Sequence, residues 1–403
     1  MNQQDTCFQH YPLFWLLLQL RHWAEAQHKL RKALENTRNK PVLKIGVLTF
    51  HRCINYGSYW QARCLAEGLQ ARGHEAVILD HDSRRVNLVE WKCAFQPVLP
   101  TPVPASDRPL YRTKIRKFFD VFDTLPLSPR FELDNPEEME EYDVVVVGSD
   151  EVWNMSHPWY GRCPIFYGDG VKAQHLISYA ASFGNYDASW GLEQDWAEKL
   201  RNNFDAISVR DANSQTIIQN ALGFEPEMVL DPCLQFPITP DERDHEILNR
   251  RYVAVYGHNF TESFAREIRQ YADSQNLPLI SFGYRNDWAD EQWITTDPHD
   301  FAHFMAKAEA VATNFFHGCV FALRNAKPFV CESSPYRRHK LQGLMAKIGG
   351  EKHLLPEGTP STIYKTLLSE TLNPGILQKI DQLRQTSNAY LDRALVLTQV
   401  QAV

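Results

Sequence analysis

Four consecutive valines, Val144, Val145, Val146 and Val147, stand between Tyr142 and Gly148. An unbroken β-branched run ending at a glycine suits a strand covered on both faces, the kind found in parallel sheets flanked by helices. Parallel neighbours cannot be joined by a hairpin and need a crossover of a dozen or more residues. The chain supplies one upstream. Residues 44–50 read as a buried strand, 59–72 as a helix with Gly73 past its end, and 75–80 as the next strand. Strand, helix, strand in this order implies a right-handed parallel unit.

The pattern continues. Residues 96–109 are proline-rich and read as a loop or lid, followed by a helix over 110–122. Strands are expected at 176–180, 206–209 and 228–230, with helices near 190–203 and from 213. A linker rich in proline and charge covers about 236–249. A second series follows, with strands at 252–256, 279–282, 310–313 and 329–331 and helices at 262–274, 299–307 and 319–325. This predicts an α/β protein of two Rossmann-like lobes facing a cleft, over 41–240 and 241–360. A helical tail over 361–403 would pack back across the lobes.

Composition narrows the function classes. The 403 residues exceed one average core. The net charge of −7 disfavours nucleic acid, whose phosphates are held by clustered Lys and Arg. Eight scattered cysteines without a Cys-x-x-Cys motif argue against a zinc framework or a disulfide scaffold, and no His, Asp and Glu set has metal-ligand spacing. The apolar run over 11–20 is too short to span a bilayer and lacks a basic flank before it or a cleavage site after it. A cytoplasmic location is expected. Residues 1–40 read as an amphipathic helix with Leu13, Leu16, Leu17, Leu20 and Trp23 on one side and Arg21, Lys29, Arg31, Lys32 and Arg38 on another. The plain reading is a helix packed on a domain or on a second copy in a homo-oligomer. The alternative is peripheral contact with the inner face of a membrane.

Ligands of open parallel sheets bind beyond the carboxyl ends of the strands, so the segments there are the candidates. After the first strand, Asn55, Gly57 and Ser58 stand where a helix begins, and free N–H groups there suit an anion; a capped turn is the plain alternative. After the valine strand come Ser149, Asp150, Glu151, Trp153 and Asn154. Asp150 or Glu151 could act as general acid or base; capping of the next turn also fits Ser149 and Asp150 but does not explain the Trp153 and Asn154 that follow. Arg210 could clamp a carboxylate or phosphate, or pair structurally with Asp211. After the strand at 310–313, His317 and Gly318 precede a helix from Cys319. There an imidazole can bind an anion or shuttle a proton, and Gly318 lets a ligand reach backbone N–H groups. Arg337, Arg338, His339 and Lys340 form a basic run that faces either the cleft or solvent. No dinucleotide fingerprint, P-loop or nucleophile elbow is present.

Six phrases occur in order: Asn55-Tyr-Gly-Ser-Tyr-Trp-Gln61, Val147-Gly-Ser-Asp-Glu-Val-Trp-Asn154, Ser178-Tyr-Ala-Ala-Ser-Phe-Gly184, Ser208-Val-Arg-Asp211, Leu230-Asp-Pro232 and Asn314-Phe-Phe-His-Gly318. Together they resemble the polysaccharide pyruvyl transferase family over roughly residues 43–350. The resemblance implies a fold similar to the two-domain B-type glycosyltransferases. It implies phosphoenolpyruvate as co-substrate with no other cofactor, no metal, and a sugar or lipid-linked saccharide as acceptor, giving a pyruvate ketal on a cell-surface or exopolysaccharide precursor. The family's His-Gly motif maps to His317. Some members carry an Arg two residues before that His; here the position is Phe315, so the donor anion falls to Arg210 or Arg338. Gly318, Cys319, Gly57 and Ser58 are expected on the donor side, and Asn55, Ser149, Trp153 and Asn154 on the acceptor side. Two other functions stay open from sequence: a nucleotide-sugar glycosyltransferase on the same fold, and a non-catalytic sugar-phosphate binding protein.

Overall fold

A computed structural model describes residues 41–242, 250–333 and 337–400, with side chains as far as 396. The expected helix over 1–40, most of the linker and Tyr336 lie outside them.

The first sheet holds β1 (Lys44–Leu48), β2 (Glu75–Ile78), β3 (Tyr142–Val147) and β4 (Ala173–Ser178). Its order is β2-β1-β3-β4 and every pair is parallel. The valine run is the middle of this sheet: Val144 and Val146 lie in register with Ile45 and Val47, and all four valines are fully buried. Helices α1 (Tyr56–Gln70), α2 (Arg84–Phe95), α3 (Arg108–Phe122), α4 (Gln194–Asn203), α5 (Ala212–Leu222) and the single turn α6 (Pro232–Gln235) belong to this half of the chain.

The second sheet is also parallel throughout, in the order β7-β6-β5-β8-β9-β10. Its strands are β5 (Val253–Tyr256), β6 (Leu279–Phe282), β7 (Glu291–Trp293), β8 (Ala310–Thr313), β9 (Phe329–Glu332) and β10 (Leu354–Leu355). Helices α7 (Glu262–Gln275), α8 (Pro298–Lys307), α9 (Phe316–Arg324) and α10 (Arg338–Ile348) follow strands of this sheet. Helix α11 (Ser361–Ser369) joins the second lobe, where Leu368 C=O accepts from Tyr271 Oη–H at 2.7 Å. Helix α12 (Pro374–Val400) returns to the first, where Ser387 Oγ accepts from Leu230 N–H and Tyr390 Oη–H donates to Ser178 C=O.

Helices α1 and α3 fasten the first lobe to the second. Tyr56 Oη–H donates to Thr296 C=O at 2.9 Å and Trp60 Nε1–H to Pro298 C=O at 2.8 Å. The Tyr56 ring stacks on Phe301 with centroids 4.3 Å apart. Lys114 Nζ donates to Gly283 C=O and Arg285 pairs with Asp107, each at 2.9 Å.

Three departures from expectation bear on the site. Helix α1 begins at Tyr56, because Asn55 caps it, and not at 59. Helix α9 begins at Phe316, not Cys319, with Phe315 as an extended N-cap that offers no side-chain capping bond. Helix α2 was not foreseen: its apolar residues do not gather on one buried stripe, with Leu88 and Trp91 exposed and only Val86 and Glu90 of its 12 residues buried. Among the described residues no helix is long and apolar enough to cross a membrane.

Replacing Tyr390 by Phe removes one buried hydrogen bond but leaves Ser178 C=O its second donor, Ser208 Oγ–H at 3.0 Å. With no acceptor orphaned, the loss should be about 1 kcal/mol in urea unfolding, not the roughly 3 kcal/mol of an uncompensated buried polar group.

Candidate active site

The carboxyl ends of both sheets open into one cavity of ≈ 790 Å³. From the first lobe its wall takes Asn55 and Ser58 beyond β1, Asp150 and Glu151 beyond β3, and Arg210. From the second it takes His258 beyond β5, Tyr284 beyond β6, Phe315, Phe316 and His317 beyond β8, and Arg337 and Lys340 at the start of α10. Glu90 of α2 and Lys114 of α3 line it as well.

His317 lies in the first turn of α9 and is 9% exposed. A Cβ placed on Gly57 would stand 1.9 Å from His317 Nδ1, so the imidazole of one lobe rests directly on the backbone of the other. Its Nε2 is buried without a hydrogen-bond partner and lies 3.6 Å from Asp231 Oδ2. Gly318 has a different neighbour: a Cβ there would meet Thr313 Oγ1 at 2.0 Å, so the glycine lets α9 leave β8 tightly.

A buried ion network surrounds the ring. Arg210 Nη1 donates to Asp231 Oδ2 at 2.9 Å and Nη2 to Asp150 Oδ1 at 3.4 Å, while the guanidinium covers the Phe316 ring at 4.7 Å. Asp150 Oδ2 accepts from Ser58 Oγ–H at 2.9 Å, and Asp150 itself is held in the left-handed region at φ +72°. Burial works to raise the Asp231 carboxyl, but His317, Arg210 and the Cys233 N–H outweigh it and hold it well below the ordinary range. Burial likewise works against the charged Glu151 carboxylate, yet contact with Lys340 brings it down to about 2.

The expected site residues divide. Asp150, Glu151, Arg210, Ser58, Asn55 and His317 line the cavity. The N–H groups of Gly57 and Ser58 do not await an anion, because Asn55 Oδ1 accepts both, at 2.9 and 3.2 Å. Cys319 N–H is also taken, by Phe315 C=O at 3.2 Å, which leaves Phe316, His317 and Gly318 as the α9 residues without an intrahelical acceptor. Ser149, Trp153 and Asn154 turn inward: Trp153 Nε1–H donates to Phe166 C=O inside the core, and Asn154 bonds Glu151 and Asn185. Arg210 bonds Asp150 and Asp231, not Asp211, while Asp211 caps α5 by accepting the Ser214 N–H at 2.8 Å.

Arg338 is exposed and absent from the cavity wall, where its neighbour Arg337 stands with its guanidinium 4.3 Å from the Phe315 ring centroid. Arg337 and Lys340 are three residues apart, so both reach one face as α10 begins; that spacing was the available signal. Asp231 lay in the Leu230-Asp-Pro232 phrase without a role assigned to it, whereas Lys114, Glu90 and His258 carried no comparable signal, since each reaches the site only through tertiary packing.

Asp231, Cys233 and His317 bring three potential metal-ligand atoms within 4.8 Å of one another. The set fits a cation poorly. Arg210 already occupies Asp231 Oδ2, and the Cys233 N–H occupies Oδ1 at 2.9 Å.

Comparison with known proteins agrees with this geometry. The sequence profile described as Polysaccharide pyruvyl transferase matches residues 55–334. The chain belongs to the polysaccharide pyruvyl transferase family and is a transferase. No curated protein matches it. Solved structures that resemble it include a putative UDP-N-acetylglucosamine 2-epimerase from Listeria monocytogenes, at 13% identity and TM-score 0.44, over 86% of this chain and 91% of that one. The glycosyltransferase SnogD from Streptomyces nogalater aligns at 14% identity and TM-score 0.40, over 89% and 99%. The E. coli ADP-heptose lps heptosyltransferase II aligns at 13% and 0.36, over 86% and 99%. Likenesses this distant say nothing about substrate.

Gly57→Ala should displace the His317 ring, because the new methyl group would overlap Nδ1. Turnover should fall by about 100-fold, and unfolding should show a loss of about 1–3 kcal/mol from the overpacked contact. Unchanged turnover would separate the Gly57 contact from the chemistry.

Proposed function

We propose that the protein moves the pyruvyl group of phosphoenolpyruvate onto a saccharide and closes it as a ketal over two hydroxyls. The observation that carries this is the buried, unpartnered His317 Nε2 beside Asp231, at a cavity wall that also bears Lys114, Arg210, Arg337 and Lys340. The donor has a phosphate and a carboxylate and needs clustered cations. The α9 first turn adds the positive end of a helix dipole. Arg337, spread over Phe315, supplies a guanidinium to the same cavity wall from a different part of the chain than the family's Arg.

The steps balance as follows. His317 gives a proton to the donor's methylene carbon, which becomes a methyl group, and the adjacent carbon takes on oxocarbenium character. A first hydroxyl attacks that carbon, forming a C–O bond, and its proton passes to Asp150. A second hydroxyl attacks as the C–O bond to phosphate breaks, and phosphate carries away the remaining proton. Asp231 holds the imidazole in place. Stabilising the departing phosphate is the larger contribution: one such donor is worth about 3 kcal/mol of barrier. Glu151, bound to Lys340, keeps that ammonium at the cavity and does not serve as the base.

The test is incubation with phosphoenolpyruvate and a panel of saccharides, following phosphate release and acceptor mass. His317→Ala should lower turnover at least about 100-fold, and Arg337→Ala should mainly raise KM for phosphoenolpyruvate. Turnover of nucleotide sugars in place of phosphoenolpyruvate would contradict the reading, as would near-normal activity in His317→Ala.

A further inference from the structure

Glu90 has no part in the steps above, yet its setting is unusual. It is one of two buried residues on a helix that otherwise faces outward. Its Oε1 accepts the Ile54 N–H at 2.7 Å, and its Oε2 is buried with no partner, in the cavity wall. An apolar side chain could fill the same space without leaving a carboxylate oxygen unsatisfied, which costs free energy unless something binds there. Lys114 lines the same cavity. Its Nζ spends one of three donors on Gly283 C=O and lies 4.3 Å from the Tyr284 ring centroid and 5.3 Å from that of Tyr56.

The chemistry of this pair differs from that around His317. Arg337 and Lys340 offer donors and charge to an anion. Glu90 and Lys114 offer an acceptor and a donor of opposite sign, which suits a neutral group that both gives and receives hydrogen bonds, as a sugar hydroxyl does. Building on the pyruvyl-transfer reading, we propose that Glu90 and Lys114 form the acceptor subsite, which holds a neutral saccharide diol with one hydroxyl on Glu90 Oε2. As that hydroxyl oxygen bonds to the donor carbon, its proton passes to Glu90 and on to the departing phosphate, while Asp150 takes the proton of the other hydroxyl. Two hydroxyl protons are released, one held by Asp150 and one leaving with phosphate, so the ledger above is unchanged.

Burial pushes the Glu90 carboxyl up to about 7, against the Ile54 N–H and Lys114. Burial brings Lys114 down to about 7, against the attraction of Glu90. The other groups that feel Glu90 are Cys53, Tyr160, Tyr284 and, on its own helix, Cys93; burial raises all four. A base must be ionised, so the share of acceptor turnover that is lost in Glu90→Gln should grow with pH through about 7.

The experiment uses the full chain as wild type, Glu90→Gln and Glu90→Asp. Binding of methyl α-mannopyranoside, methyl α-galactopyranoside and methyl α-glucopyranoside is measured by saturation-transfer NMR, with phosphoenolpyruvate binding by calorimetry in parallel. At least one glycoside should bind wild type, and Glu90→Gln should weaken it at least about tenfold while phosphoenolpyruvate affinity stays within about twofold. The loss of acceptor kcat/KM in Glu90→Gln should also grow through pH about 7, and Glu90→Asp should recover part of it. Equal glycoside affinity in wild type and Glu90→Gln overturns the proposal, as does no glycoside binding to wild type, or parallel loss of both ligands. Glycoside binding that depends on Glu90, with no phosphate released from phosphoenolpyruvate, would instead sink the donor assignment and leave the subsite standing.

Discussion

A guanidinium buried between two carboxylates anchors the site. Arg210 reaches Asp150 beyond β3 and Asp231 at the start of α6, and Asp231 lies against His317 from the other lobe. Taking three charges out of water gains little net stability, but removing one partner would leave another buried and uncompensated. The network therefore holds only as a set, and as a set it aligns groups from both lobes. Gly57 completes the alignment by leaving room for the imidazole on the helix backbone.

The second consequence is electrostatic. The chain as a whole carries −7, yet the cavity wall bears Lys114, Arg210, Arg337 and Lys340 against Glu90, Asp150 and Glu151. Charges in a cleft with low-dielectric walls act on a ligand more strongly than the same charges on the open surface. Within the wall the charges are sorted. Lys340 is bound to Glu151, Arg210 lies between its two aspartates, and the Glu90 and Lys114 pair contributes no net charge.

Much of the fold was legible because parallel sheets buried on both faces write themselves as apolar runs. The valine strand, β8 and β9 and the order of strands and helices were read from that signal, and the rule about strand ends then led to Asp150, Arg210 and His317. The helix starts were harder. Asn55 is a good capping residue, but a plain cap and an anion site look alike in sequence, and here the cap takes the N–H groups of Gly57 and Ser58. Trp153 and Asn154 follow a strand end as a ligand-binding segment would, but the chain turns inward after Glu151 and buries them. Glu90 and Lys114 were invisible because α2 and α3 meet the cavity only through packing, and a lone Glu in a solvent-facing helix reads as surface.

The central claim is that the His317 imidazole meets the donor at the cavity. Nitrogen-15 NMR of the imidazole during titration with phosphoenolpyruvate tests it directly. The account predicts a saturable shift of the His317 Nε2 resonance, with the same midpoint as binding followed by calorimetry. Saturable phosphoenolpyruvate binding that leaves the His317 resonances unmoved would contradict it.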